Sequence, residues 1–285
     1  MFGSFRYAVA VQILAAAILA TPEALAGKAD DTLNVGFQGE VASLDYYMGS
    51  SRNNLIIARH LYDTLIIKNQ ETNEFEPALA KSFTVIDDTT LEFEIRDGVK
   101  FHDGSTLTAD DVVYTLNTVS DPDYGAVYQI AVRWIKSAEK TGPATVRLTM
   151  KEPYPPALEW LAGFLPIYPK AYYEKVGKEG MGTKPVGTGP YKLVSMTPGT
   201  QWTMTRFDDH YAASPKGRPA IGNLDMRVLP EINTQIAELM TGKLDFIWKI
   251  PADQADRMRG RSGLQVKDQS ILRVAFIQPN IVDES

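Results

Sequence analysis

Residues 77–119 read PALAKSFTVIDDTTLEFEIRDGVKFHDGSTLTADDVVYTLNTV, and this stretch restricts the fold more than any other. Phe83 and Val85, then Leu91, Phe93 and Ile95, take alternate positions in two runs parted by Asp87-Asp88. Each run therefore has one apolar face, and the pair predicts an antiparallel meander. The turn His102-Asp103-Gly104 follows. Thr108 then stands three residues ahead of Asp111, a pairing suited to cap a helix through about Val119, and Asp111 lies in its first turn near the positive end of the helix dipole. Within it, residues 98–112 hold His102 and three aspartates, which would also furnish an active-site loop or a metal site. Turn and cap chemistry is the preferred reading, with a ligand or catalytic role for His102 as the alternative.

The rest of the chain adds little catalytic equipment. A metal site needs converging ligands, yet His60, His102 and His210 belong to no HxH or HExxH spacing. The doublets Asp87-Asp88, Asp110-Asp111 and Asp208-Asp209 point their side chains apart in a strand or helix, so a doublet alone is no acid/base pair. Pro185 to Tyr191 (PVGTGPY) lacks both the GxGxxG spacing and the Lys-Ser/Thr of a phosphate loop, and reads as a tight backbone crossing. No GxSxG is present, and with no cysteine there is neither a thiol nucleophile nor a disulfide. No cofactor is expected.

Of 285 residues, 44% are hydrophobic and 22% charged, which suits one or two folded domains. Lys plus Arg number 29 against 35 Asp plus Glu, a net charge of −6 without a basic cluster. That balance argues against nucleic acid or an anionic membrane as partner. Met1 to Ala26 has the parts of a secretory signal: Arg6, the apolar run Ala8 to Ala20, and Ala24-Leu25-Ala26 as a cleavage site. The apolar run is short for a bilayer span. Cleavage after Ala26 predicts an exported protein, without stable membrane insertion or a lipid-bearing cysteine, free in a bacterial periplasm.

Further elements follow from the period of the apolar residues. Thr32 to Phe37 predicts a strand, and the loop GEVASLDYYMGSSRNN leads into a helix that Asn53 or Asn54 could cap. Leu65 to Lys68 and Ala144 to Met150 predict strands, and residues 157–174 a short helix, a break at Pro166 and a second helix start at Lys170. Gly177 to Pro190 reads as a long turn region. Tyr191 to Ser195, Gln201 to Arg206 and Leu224 to Leu229 predict strands. Glu231 to Thr241 predicts a helix with Ile232, Ile236, Leu239 and Met240 on one face and Gly242 as its C′ residue. Leu244 to Ile250 predicts a buried strand, residues 252–259 a helix and residues 271–277 a last strand. Meanders mixed with βα units place the chain in a mixed α/β class.

Four separated motifs, PALAKSFTV, LEFEIRDGVKFHDGSTLTADDVVYTL, PVGTGPYKLV and LMTGKLDF, together resemble in order and spacing the peptide-type solute-binding proteins of ATP-binding-cassette importers, the extracellular solute-binding proteins of family 5. The resemblance runs from Asp30 to the C-terminus. It implies a type II periplasmic-binding-protein fold with two lobes that close on a ligand. The first lobe would comprise 27–62 and 186–273, with a subdomain inserted over 63–185, and 274–285 would cross toward the second lobe. The sequence stops at Ser285, just after that crossing, so the second lobe is missing and the chain reads as C-terminally truncated.

Matching to the family puts Ser50, Ser51 and Arg52 where its first-lobe loop touches peptide backbone, and Trp248, Lys249 and Ile250 at a second contact strand. Trp248 could stack on a ligand side chain or a sugar, or be a core aromatic; Lys249 could meet a carboxylate. The implied function is solute capture without catalysis, by a monomer that delivers a peptide-like solute to the importer's permease subunits. A dipeptide, a longer peptide, an oligosaccharide, an opine-like compound or a metal chelate all remain open as ligand. The alternatives are a secreted hydrolase or transferase with a carboxylate pair, and a truncated, non-transporting fragment of the receptor.

Overall fold

The structure is a computed structural model that describes residues 30–49 and 51–269. In chain order the elements are β1 (Thr32–Phe37), α1 (Arg52–Leu61), β2 (Ile66–Lys68), β3 (Phe75–Pro77), β4 (Ala80–Asp87), β5 (Thr90–Ile95), α2 (Ala109–Ser120), α3 (Gln129–Val132), β6 (Ile135–Lys140), β7 (Thr145–Met150), α4 (Ala157–Gly163), α5 (Lys170–Thr183), β8 (Tyr191–Thr197), β9 (Gln201–Arg206), β10 (Asn223–Val228), α6 (Ile232–Met240) and α7 (Ala252–Met258). They form a mixed α/β architecture. One four-stranded sheet has the order β1-β10-β9-β8, a second has β4-β5-β7-β6, and β2 pairs with β3 alone. The proposed signal segment, the strand expected at 271–277 and the crossing at 274–285 lie outside the described residues.

β8 and β9 pair antiparallel across a tight turn and β9 pairs antiparallel with β10, whereas β1 and β10 are distant in sequence and pair parallel, Phe37 opposite Val228. The meander forms with Phe83 opposite Phe93 and Leu91 opposite Leu148. Leu91, Phe93, Val146 and Leu148 are fully buried under α2, whose Val112 and Leu116 are equally buried. Helix α2 starts as its sequence demands: the Asp111 carboxylate accepts from the Thr108 N–H at 2.8 Å and from Thr108 Oγ1 at 2.7 Å.

Several elements depart from expectation, each for a physical reason. Val85 is 58% exposed although it stands opposite buried Leu91, because β4 is the edge strand of its sheet. The segment expected as a turn region from Gly177 carries α5 on to Thr183 through a kink at Gly177 (φ 63°, ψ −168°). Gly182 can continue that helix because it lies against Ser43, where a Cβ would stand 2.5 Å from Oγ, and its carbonyl accepts from Leu44 N–H. Strand β6 escapes the sequence reading because only Ile135 and Ala138 of IKSAEK are buried. Leu244 to Ile250 is not a strand: it makes one parallel bridge, Phe246 with Val35, and Phe246 stays half exposed. Lys249 takes a left-handed φ of 59° and Pro251 follows, so extended pairing ends there.

Candidate functional site

Of the sequence-derived site residues, Trp248 lies against the end of β1. Phe37 is its last residue and fully buried, and Trp248 packs edge-on against it with ring centroids 4.4 Å apart. What brings Trp248 there is the LMTGKLDF motif. Gly242 ends α6 in the left-handed region (φ 73°), Leu244 is buried, and the Asp245 carboxylate accepts from the Asn34 N–H at 2.8 Å and from its Nδ2 at 3.0 Å. Phe246 then brackets β1: its N–H donates to Asn34 O and its carbonyl accepts from Gly36 N–H. The segment therefore runs parallel to β1 on the side away from β10, and the carboxyl ends of β1, β10 and this segment share one edge. In open α/β sheets, ligands bind outside such an edge.

The loop after β1 returns to the same edge through α1. Ser51 caps that helix, its Oγ accepting from Asn54 N–H at 3.1 Å and donating to Asn54 Oδ1 at 2.6 Å. Ser51 thus takes the capping role expected of Asn53 or Asn54. Those asparagines are instead buried in the first turn, where Asn53 Nδ2 donates to Gly39 O and Asn54 Nδ2 to Ser43 O, both at 2.8 Å. Arg52 is exposed at the start of α1, Lys249 is exposed beside the half-buried Trp248, and Ile250 is half-buried. Ser50 lies outside the described residues. Phe37, Gly39 and Asn53 complete the edge and were absent from the sequence-derived set; the side-chain amides immediately after the Ser51 cap were the available signal. Trp248 is half-buried and packs against the core ring of Phe37.

Residues 74–283 match the family model of the bacterial extracellular solute-binding proteins, family 5 Middle. The chain belongs to this family. The glutathione-binding protein GsiB of Salmonella typhi is 30% identical over 274 residues, covering 95% of this chain and 52% of that protein. Among solved structures, AgaA from A.tumefacien R10 in complex with agropinic acid aligns with a TM-score of 0.74 at 29% identity, over 81% of this chain and 46% of that one. AppA from Bacillus subtilis, in complex with a nonapeptide, aligns with a TM-score of 0.72 at 27% identity, over 80% and 46%. The chain thus spans about half the length of the relatives it matches.

In this family 5 chain, the other motif residues hold loops together. His102 has both ring nitrogens engaged by backbone: its Nδ1 accepts from Gly187 N–H at 3.3 Å and its Nε2 donates to Gly189 O at 2.9 Å, which fixes the neutral Nε2–H tautomer. Burial pushes its pKa down to about 4. The two glycines it clamps cross the end of α1 so closely that a Cβ on Gly187 would meet Leu61 O at 2.1 Å and one on Gly189 would meet His60 O at 2.4 Å. Buried Asp63 joins that crossing to residues 207–219. It accepts from Thr188 Oγ1 at 3.2 Å and from Lys216 Nζ at 2.6 Å, with His210 Nε2 at 3.4 Å. Burial alone would raise its pKa, but Lys216 and His210 hold it below the usual carboxylate range.

The buried Asp45 carboxylate accepts from Tyr47 N–H at 3.1 Å, Tyr168 OH at 2.9 Å and Tyr173 OH at 3.4 Å. Desolvation pushes it up to about 6 despite these donors. The acidic doublets serve turns, a cap and ion pairs: Asp87 accepts from Thr89, Asp111 caps α2, Asp110 pairs with Lys140, and Asp208 pairs with Arg206 and Arg218. Among the described residues no group of three or more His, Cys, Asp or Glu could hold a metal ion, and no helix is long and apolar enough to cross a membrane.

Proposed function

We propose that this chain is the first-lobe half of a periplasmic receptor that captures a peptide-like solute for an ATP-binding-cassette importer. Residues 27–62 and 186–273 would form the lobe, 63–185 its inserted subdomain, and 274–285 the start of the path to a second lobe; residues 1–26 would be the export signal, cleaved after Ala26. The observation that supports this best is the shared carboxyl edge of β1, β10 and the Asp245-pinned segment, where Trp248, Lys249 and Arg52 stand accessible beside Gly39 and Asn53. Trp248 offers a ring face to an apolar ligand part, and the two exposed cations suit a carboxylate.

Glutathione, a nonapeptide and agropinic acid, the ligands named for the relatives above, fit a surface that reads apolar parts with a ring and charge with cations. A solute bridging two lobes would favour the closed form, which the permease subunits would recognise; the solute leaves unchanged and the receptor acts as a monomer. One wall buries a solute poorly, so this half binds weakly by itself. Titration calorimetry with glutathione and with dipeptides should give weak, saturable binding that Trp248→Ala reduces about tenfold. Binding indifferent to Trp248→Ala contradicts the proposed edge, and tight binding contradicts the single-wall reading.

A further inference from the structure

A concavity of about 320 Å³ opens where the last turn of α1 faces β2 and the end of α4. Arg59 lies about 12 Å along α1 from its Ser51 cap, so this cavity is separate from the β1 edge. Its volume falls in the range of small-molecule sites. Its walls are the rings of Tyr46, Tyr62 and Phe164 with Ala58, Ile67 and Ala162 between them. Four charged side chains line it: Arg59, Lys68, Lys216 and Glu159. Two of the cations are already answered. Lys68 pairs with Glu159 at 2.6 Å, and Lys216 is held by Asp63 at 2.6 Å and by the carbonyls of Arg59 and Tyr62. The hydroxyl of Thr64 is likewise spent on the carbonyls of Ile66 and Ala162.

Arg59 alone among these cations has no acidic partner within the described residues, and it is exposed at the cavity's mouth. A ring-lined hollow with one unanswered guanidinium selects a ligand with an apolar body and a single negative charge. A carboxylate takes two parallel N–H bonds from such a group, whereas a neutral analogue forfeits the charge-assisted part. We propose that this cavity is a second binding site, for a small organic monoanion whose body is the size of one aromatic ring. It is independent of the solute edge described above, and in an acidic chain of net charge −6 it is a local reversal of sign.

Phenylpropionate and its neutral amide serve as probes in ligand-observed NMR titrations of the chain, its Arg59→Gln and Ala162→Phe variants, and Trp248→Ala. Arg59 is exposed and Ala162 half-buried, and thermal melting verifies that each variant is folded. Saturable binding of the carboxylate, weakened about tenfold by Arg59→Gln, abolished by filling the cavity with Ala162→Phe, at least about tenfold weaker for the amide and unmoved by Trp248→Ala, is the expected result. Equal binding of acid and amide, survival in both cavity variants, or no saturable binding would overturn it. Loss with Trp248→Ala alone would overturn it too, by placing the probe at the β1 edge.

Discussion

His102 and Asp45 are two buried titratable groups whose pKa values move in opposite senses. The neutral His102 is favoured in the fold, so the unfolded chain takes up the extra proton between its ordinary pKa near 6.5 and the folded value of about 4, and stability falls as the pH drops through that window. For Asp45 the folded chain binds the proton more tightly, between about 6 and its ordinary 3.8, and stability rises as the pH drops. The two slopes offset each other in the native protein. Asp45→Asn keeps an acceptor for Tyr47 and Tyr168 and removes the second slope, so its melting temperature should fall more between pH 7 and pH 4.5 than that of the native chain; an equal or smaller fall would contradict the assignment. At the crossing itself, Gly189→Ala sets a methyl against His60 O and should cost about 2–4 kcal/mol in urea unfolding, far above an exposed Gly→Ala change.

Among the elements, the Gly242–Trp248 segment carries the candidate site, and Asp245 is its attachment. Asp245→Ala removes the acceptor for two donors of Asn34 and should lower stability by about 1–3 kcal/mol while sharpening the fluorescence response of Trp248 to a soluble quencher; unchanged quenching would mean that Asp245 does not set the ring's position. Elements with a clean period were legible from the sequence. β1, β5, β7, β9, α2 and α6 each have apolar residues at the spacing of their own geometry, and Thr108 with Asp111 announced a helix start. The motif Pro185 to Tyr191 was legible as a crossing, because only glycines pass so close to another backbone. What stayed hidden depends on distant partners. Nothing local tells that β4 is an edge, that Gly182 packs on Ser43, or that LDFIWKI gains one neighbour instead of two. For the site, Trp248 was visible as a candidate, whereas Phe37 and Asn53 became part of it only through contacts more than ten residues away in sequence.

At the scale of the molecule, the two four-stranded sheets share one contiguous set of buried side chains, from Phe37 and Trp202 through Tyr62 and Tyr168 to Phe93 and Leu148. Such continuity predicts that they unfold together: circular dichroism and tryptophan fluorescence should report the same urea midpoint, and separate midpoints would mean that the meander is an independent unit. In the proposed function, the carboxyl edge of β1 contacts solute. The most direct test of that contact is a backbone and indole amide NMR titration of the isotope-labelled chain with a panel of di- and tripeptides. Saturable shifts are expected at Gly39, Arg52, Trp248 and Lys249 with the cavity beside Arg59 unaffected. Shifts confined to residues away from that edge, or none at any peptide concentration reached, would contradict it.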